Sequence, residues 1–271
     1  GFLWTLYRQK IRFDVLHMHG DWSSFLFAPI FKRCFKLKFV AGSFHGAFRN
    51  DKVGKYRRFF AFLDILFCTG MREVTSFQRI LDIPVIWRPS GIEPEFFRAN
   101  SSKRDRTIIS VGTLNYVKNQ KLVIDVARIL PTYRFYIVGA GDCYTDLLNY
   151  IETNRVCNVT LQGYLDKPRL AELLSSTEIL LHTSIEEGTP TVFFEAIAAG
   201  NLIVTTPSND FSVFADAGCC KVASFDPEDL AEAIVNSSLS ADGCVEFPVC
   251  TWANIASEIT NTISGRVNFE E

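Results

Sequence analysis

Two spacings of apolar residues alternate along this chain. Short continuous runs at residues 13–18, 39–43, 65–69, 85–88, 107–111, 135–138, 159–161, 179–182 and 202–205 predict strands buried on both faces. Residues 120–130, 144–153, 167–175, 191–199 and 227–236 repeat apolar positions every three or four residues and predict helices. Asp226 before Pro227 reads as an N-cap with a first-turn proline, and Gly200 stands just past a helix end. Parallel strands need right-handed crossovers, so strand–helix alternation predicts the α/β class, with open, mostly parallel sheets covered on both faces. The pattern lapses at NSSKRDR, residues 100–106, which reads as a linker. It separates a first domain (1–99) from a second (107–250), with a C-terminal helix and tail at 251–271. Four strands precede the linker, so the first domain reads as short.

Composition narrows the class. At 271 residues and 48% hydrophobic, the chain is large enough for one large domain or two small ones. Its apolar stretches fall short of the ~20 residues of a transmembrane helix. The opening GFLWTLYRQK has neither the apolar core nor the cleavage site of a signal peptide, and it begins with Gly. Eight cysteines without a CxxC pair predict reduced, mostly buried thiols and a cytoplasmic setting. The net charge of −2 conceals a dipolar molecule. Residues 1–106 hold 19 Lys and Arg against 9 Asp and Glu, and the remainder holds 9 against 21. In the basic half, 31–39 and 52–62 interleave cations with aromatics, which suits a peripheral contact with an anionic membrane at its inner face, or a polyanion. A solvated face over a Phe-rich core is the alternative. Nucleic acid is not expected, because no recognition motif accompanies the charge.

The densest chemistry lies in Ser184 to Val204, SIEEGTPTVFFEAIAAGNLIV, which reads as strand, loop, helix, strand. A helix N-terminus after a parallel strand offers free N–H groups and the positive end of the dipole, which suit a phosphate. Gly188, Thr189, Pro190, Thr191 and Val192 would surround it. Glu187 in the loop would face whatever is joined to that phosphate, and Glu195 within the helix could grip a vicinal diol such as a ribose. Spacing alone leaves ordinary helix capping by acidic residues equally open.

This segment resembles the donor-site motif of the retaining glycosyltransferases of GT-B fold often called family 4, or group 1. That motif is a Glu, seven residues, a second Glu, an Ala-rich helix, a Gly and a strand, and Glu187 and Glu195 match both acidic positions. Elsewhere, Ile109 to Leu114 followed by Lys118 resembles the family's strand, Gly and Lys signature. Tyr136 to Asp142, with Gly139 and Gly141, resembles its strand ending in Gly-x-Gly-Asp. Val159 to Tyr164 resembles the strand before the nucleobase loop, and Trp252 the Trp that opens the last helix. In the first half, Asp14 to Gly20, Ser43 to Gly46 and Pro89 to Ile92 resemble motifs of the acceptor domain.

The resemblance implies two Rossmann-like domains facing a cleft, the N-terminal one incomplete. It implies transfer of a hexose-type sugar, with retention, from a nucleotide-diphosphate sugar to a lipid-linked or saccharide acceptor, as in bacterial surface polysaccharide or glycolipid assembly. Lys118 and Glu187 would act on the diphosphate and the sugar, and His45, at a strand end facing the cleft, would line the acceptor side. Glu195, Gly112, Thr113, Gly139 and Tyr164 join the 188–192 loop in binding the donor. Neither a metal nor another cofactor is expected, since there is no Asp-x-Asp. Two departures stand out. Thr113 replaces an Arg that normally shares the diphosphate with the Lys, and the family's first strand–loop–helix units are missing, so reduced activity is expected of this chain alone.

Other readings compete. A truncated or degenerate module that binds nucleotide or a partner would account for Thr113. The His17-x-His19 pair resembles a metal pair of amidohydrolase barrels, but only His45 and His182 remain as further histidines. Gly139-x-Gly141 without a third Gly is a weak dinucleotide signal. His182 reads as a strand-end residue beneath the donor loop.

Overall fold

The computed structural model describes Arg8 and residues 12–21, 23–45, 57–58, 60–98, 105–207, 211–239 and 247–267. The chain divides into two compact units, Gly1–Ser90 with Ala253–Glu271, and Gly91–Trp252.

The first unit holds four parallel strands in chain order: β1 (Val15–Gly20), β2 (Phe39–Phe44), β3 (Ile65–Cys68) and β4 (Val85–Trp87). Helix α1 (Ala28–Cys34) follows β1 and α2 (Met71–Gln78) follows β3. The period-2 alternation of strand side chains sorts the residues between two faces. Leu16, Met18, Val40, Phe44 and Leu66 face a phenylalanine cluster in which Phe60 and Phe77 approach to 4.6 Å and Phe25 and Phe60 to 5.2 Å. Val15, Phe39, Ala41, Ile65 and Phe67 face the C-terminal helix (Trp252–Ser264), which contributes Ile259 and Ile263. Strand β1 begins two residues later than predicted. Phe13 packs on Phe35 at 4.8 Å ahead of the strand, while His19 and Gly20 pair with Ser43 and Phe44.

The second unit holds β5 (Thr107–Val111), β6 (Arg134–Val138), β7 (Val159–Gly163), β8 (Ile179–His182), β9 (Leu202–Thr205) and β10 (Cys220–Val222), all parallel. Their order in the sheet is β10-β9-β8-β5-β6-β7. This is the doubly wound dinucleotide-fold order, in which the winding reverses between β5 and β8. Helices α3 (Gln120–Ile129), α4 (Tyr144–Thr153) and α8 (Pro227–Leu239) cover one face through Val123, Val126, Leu147, Leu230 and Ile234. Helices α5 (Lys167–Ser176), α6 (Thr191–Ala198) and α7 (Ser212–Asp216) cover the other through Leu174, Phe193, Phe194 and Phe214. The helix punctuation follows the sequence: Glu228 N–H donates to Asp226 Oδ1 at 2.8 Å, and Gly200 takes φ 77° past α6.

The division falls after Ser90 and after Trp252, whereas sequence pattern places a linker at 100–106, of which 100–104 lie outside the described residues. Local pairing explains the earlier boundary. Ile92 bridges to Thr251, its N–H donates to Cys250 O at 3.0 Å, and Phe96 is buried in the second unit's core. The cysteine expectation needs correction in two respects. Cys34, Cys68, Cys143, Cys157, Cys220 and Cys250 carry thiols, but Cys34 and Cys157 are exposed and Cys143 and Cys250 only partly buried; Cys219, wholly buried, is disulfide-bonded, a pairing that sequence spacing does not disclose.

Candidate functional site

In an open α/β sheet, ligands bind beyond the carboxyl ends of the strands where the winding reverses. Here that place is the end of β5 and the end of β8, where Gly112, Thr113, Lys118, Glu187 and Gly188 lie, while Gly139 follows β6 and Tyr164 follows β7. The β5 end is built tightly. Gly112 N–H donates to Val138 O at 3.0 Å, and Gly139 N–H donates to Gly163 O at 2.8 Å. Gly139 has φ +147°, and a Cβ there would lie 1.9 Å from Gly112 O, so only glycine fits. After Gly112 the chain passes through Thr113, whose carbonyl accepts from Gln120 Nε2 at 2.9 Å, into a short 3-10 turn, Tyr116–Lys118. Asn115 caps that turn by accepting from the Lys118 N–H at 3.0 Å.

Lys118 is thereby fixed against the β8 loop. Thr183 Oγ1 donates to the carbonyls of Lys118 and Asn119 at 3.0 and 3.1 Å, and Ile185 N–H donates to Val117 O at 2.7 Å. The Lys118 ammonium pairs with the Glu187 carboxylate, both side chains about four-fifths buried. Burial pushes the Lys118 ammonium below its ordinary range. Beneath the pair lies His182, whose Nε2 stands 2.9 Å from Glu187 Oε2 and 3.3 Å from Ser184 Oγ. Burial first, then the Lys118 charge, pushes the His182 imidazole down to about 3, so the ring is neutral at pH 7. Glu187 Oε2 is not aligned for a hydrogen bond to it.

Helix α6 starts beside this cluster. Pro190 is its N-cap, and it has no side-chain acceptor for the first-turn amides that begin at Thr191 and Val192. Gly188 and Thr189 are half-buried in the loop. Inside α6, Glu195 is nearly fully buried and pairs with Lys167, at the start of α5. The Lys167 ammonium also lies 5.6 Å from the Phe96 ring centroid. Sequence reasoning missed Lys167: it lies 28 residues from Glu195, and no local pattern announces the pairing. Tyr164, three residues before it, is 77% exposed on the loop after β7. A cavity of about 310 Å³ opens between the segment after β5 and α4, lined among others by Tyr116, Gln120 and Tyr150. Neither Lys118 nor Glu187 lines it.

His45 belongs to the first unit, just past the end of β2, where its ring lies nearly parallel to that of His19, with centroids 5.6 Å apart and planes 12° apart. The structure thus brings Lys118, Glu187, Gly188 and the start of α6 together in the second unit, with Glu195 about one turn along.

Two parallel-sheet Rossmann-like units of this topology, with a charged pair at the winding reversal and a helix start beside it, are the GT-B glycosyltransferase fold. Residues 91–239, more than half of the chain, match the family model for glycosyl transferases group 1, and the chain belongs to that family. Among curated proteins it is 27% identical over 171 residues to the phosphatidylinositol N-acetylglucosaminyltransferase gpi3 subunit of Schizosaccharomyces pombe, covering 61% of this chain and 37% of that protein. It is 28% identical over 135 residues to the phosphatidylinositol N-acetylglucosaminyltransferase GPI3 subunit of Saccharomyces cerevisiae, covering 44% and 29%. The chain thus spans about a third of the length of these relatives. Similar solved structures include Anabaena Alr3699/HepE in complex with UDP and glucose, with TM-score 0.72 and 13% identity over 97% of this chain and 80% of that one. Sucrose-phosphate synthase from Thermosynechococcus elongatus matches with TM-score 0.73 and 15% identity over 97% and 76%.

Proposed function

We propose that this chain serves the transfer of a hexose-type sugar from a nucleoside-diphosphate sugar to an acceptor hydroxyl, with retention at the anomeric carbon. The observation that carries the reading is the buried Lys118–Glu187 pair at the β5–β8 reversal, beside the uncapped start of α6. The diphosphate would take over the Lys118 ammonium and the first-turn amides, releasing Glu187 to accept hydrogen bonds from sugar hydroxyls. As the bond from the anomeric carbon to the phosphate oxygen breaks and the bond to the acceptor oxygen forms, the acceptor's proton passes to the departing diphosphate. Lys118 and the helix start stabilise the charge that develops there. With Thr113 in place of an Arg, they do so without a second cation at that position. Glu195, oriented by Lys167, would accept from the ribose diol. Gly112 and Gly139 would let the donor approach the strand ends, and Tyr164 would stand at the base. His45 would meet a hydroxyl on the acceptor side.

The curated relatives' names pair an N-acetylglucosaminyl group with phosphatidylinositol, and the Alr3699/HepE complexes hold UDP. They support a uridine diphosphate sugar and a lipid-linked or saccharide acceptor, in glycolipid or surface-polysaccharide assembly. A peripheral membrane contact fits the first unit, which exposes Leu26, Phe27, Ile30 and Phe62 together with Arg33 and Lys36. Other cations there are paired, among them Lys32 with Asp64, Lys38 with Asp14, Arg57 with Asp82 and Arg88 with Glu258. Among the described residues, no helix is long and apolar enough to cross a membrane. The test is sugar transfer or slow donor hydrolysis from a panel of nucleotide sugars, with the Glu187→Gln variant alongside. Release of nucleoside diphosphate that Glu187→Gln suppresses supports the reading. Nucleotide binding without release from any donor would favour the non-catalytic module.

A further inference from the structure

Three of the four histidines lie outside the donor chemistry, and the fold brings them together. His17 and His19 share one face of β1, being two residues apart, and the parallel register sets His19 beside Ser43 of β2. His45, two residues past Ser43, continues that row. The side chains form a continuous line: His17 Nε2 to Ser43 Oγ at 2.8 Å, His17 Nδ1 to His19 Nε2 at 3.3 Å, and His19 Nδ1 to His45 Nε2 at 3.3 Å. Each ring nitrogen in the line is used once, so the rings are strung in series. They do not point at a common centre.

A series of neutral imidazoles has only two consistent arrangements, because each ring carries one N–H. Either Ser43 donates inward and His45 ends the line with Nδ1–H as a donor, or His45 Nε2–H donates inward, the line ends on Ser43 as acceptor, and His45 Nδ1 is an acceptor. A break anywhere uncouples them. We propose that Ser43, His17 and His19 are positioning residues that couple the tautomer and ring plane of His45 to the row, so that its Nδ1 meets a substrate hydroxyl in whichever of the two senses the whole row adopts. The inference deepens the proposed function, since it rests on His45 meeting substrate.

The rings' surroundings keep the line neutral. Burial, followed by the neighbouring His19 and His45, lowers His17 to about 4; burial lowers His19; burial and then His19 lower His45. Phe67 of β3 lies edge-on to His17 at 5.9 Å. The charged groups on flanking elements are held elsewhere: Asp21 accepts from Ser23, and Glu258 of the C-terminal helix pairs with Arg88. A hydroxyl meeting His45 therefore finds a neutral partner across the physiological range, where an imidazolium could only donate.

Nitrogen-15 spectra of the histidines in this chain, recorded from pH 8 to pH 4, test the series directly. The expected result is one tautomer for each of His17, His19 and His45 at pH 7, with His17 titrating last. In the His17→Phe variant, His45 should become a tautomer mixture. Mixed tautomers in the unmodified chain, or a His45 signal indifferent to His17→Phe in a variant that keeps its melting temperature, would overturn the proposal. Failure of the functional reading looks different. A locked series combined with sugar transfer undiminished in His45→Gln would leave the network standing and remove its substrate.

Discussion

The strand ends of the two units handle charge in opposite ways. In the second unit, residues beyond β5, β7 and β8 are ionic and paired, Lys118 with Glu187 and Lys167 with Glu195, and both carboxylates are largely withdrawn from water. In the first unit, the residues at the ends of β1 and β2 are neutral rings, and burial works against charging them. Both units are parallel sheets with strand ends available for ligands, so the backbone does not set this difference. A buried ion pair is costly unless a ligand or further hydrogen bonds complete it, which suits a site that exchanges an internal carboxylate for a diphosphate. A neutral hydrogen-bonded row suits a partner without charge, such as a hydroxyl.

The largest expected effect breaks the ionic side. Lys118→Ala should lower turnover by roughly two orders of magnitude, as for loss of one main charge-stabilising donor, measured by steady-state kinetics in a form that transfers sugar. Equal turnover would remove Lys118 from the chemistry. Gly139→Ala should lower stability by about 2 kcal/mol, within the usual range for a strained backbone position, because its Cβ would meet Gly112 O. A melting curve unchanged from the parent would mean the β5 and β6 ends can part freely. Glu195→Ala should weaken nucleoside-diphosphate binding by about tenfold, or roughly 1.4 kcal/mol, in titration calorimetry. Lys167→Ala should have the same sign and a smaller effect, since it removes only the group that orients Glu195.

The gentlest comparison uses pH. His17 and His182 have folded-state values near 4 and 3, below the 6.5 of an unfolded histidine. Between those limits the unfolded chain binds more protons, so stability is full above about pH 6.5 and declines as pH falls toward 3. The melting temperature should therefore drop steadily on acidification. His182→Asn, if folded, should show a shallower drop below pH 5, and an identical slope would place the titration elsewhere.

Much of this fold is legible in the sequence because strand periodicity and helix punctuation are local. The nine predicted strands are all present, and Glu187, Gly188 and Glu195 lie on the loop and helix that the 184–204 pattern describes. What escapes is short or distant. Strand β10 has three residues, of which only Cys220 is buried, so no apolar run marks it. Helix α1 spans seven residues, and α2 has eight of which Glu73, Val74 and Phe77 are buried, too few apolar positions for a 3.6-residue period to stand out. The partners Lys118–Glu187 and Lys167–Glu195 are 69 and 28 residues apart, and only sheet order brings them together. His17-x-His19 is visible as a pair, but its third ring and Ser43 come from the neighbouring strand, and the register that joins them is a tertiary fact.

The most direct test is a thermal-shift series on this chain with UDP, GDP, ADP, CMP and NADH, repeated on Lys118→Ala. One nucleoside diphosphate should raise the melting temperature, by the equivalent of about 2.7 kcal/mol at a hundred times its dissociation constant, and Lys118→Ala should remove most of that gain. No shift with any of them in a folded sample, or a shift equal in Lys118→Ala, would contradict a diphosphate site at the β5–β8 reversal.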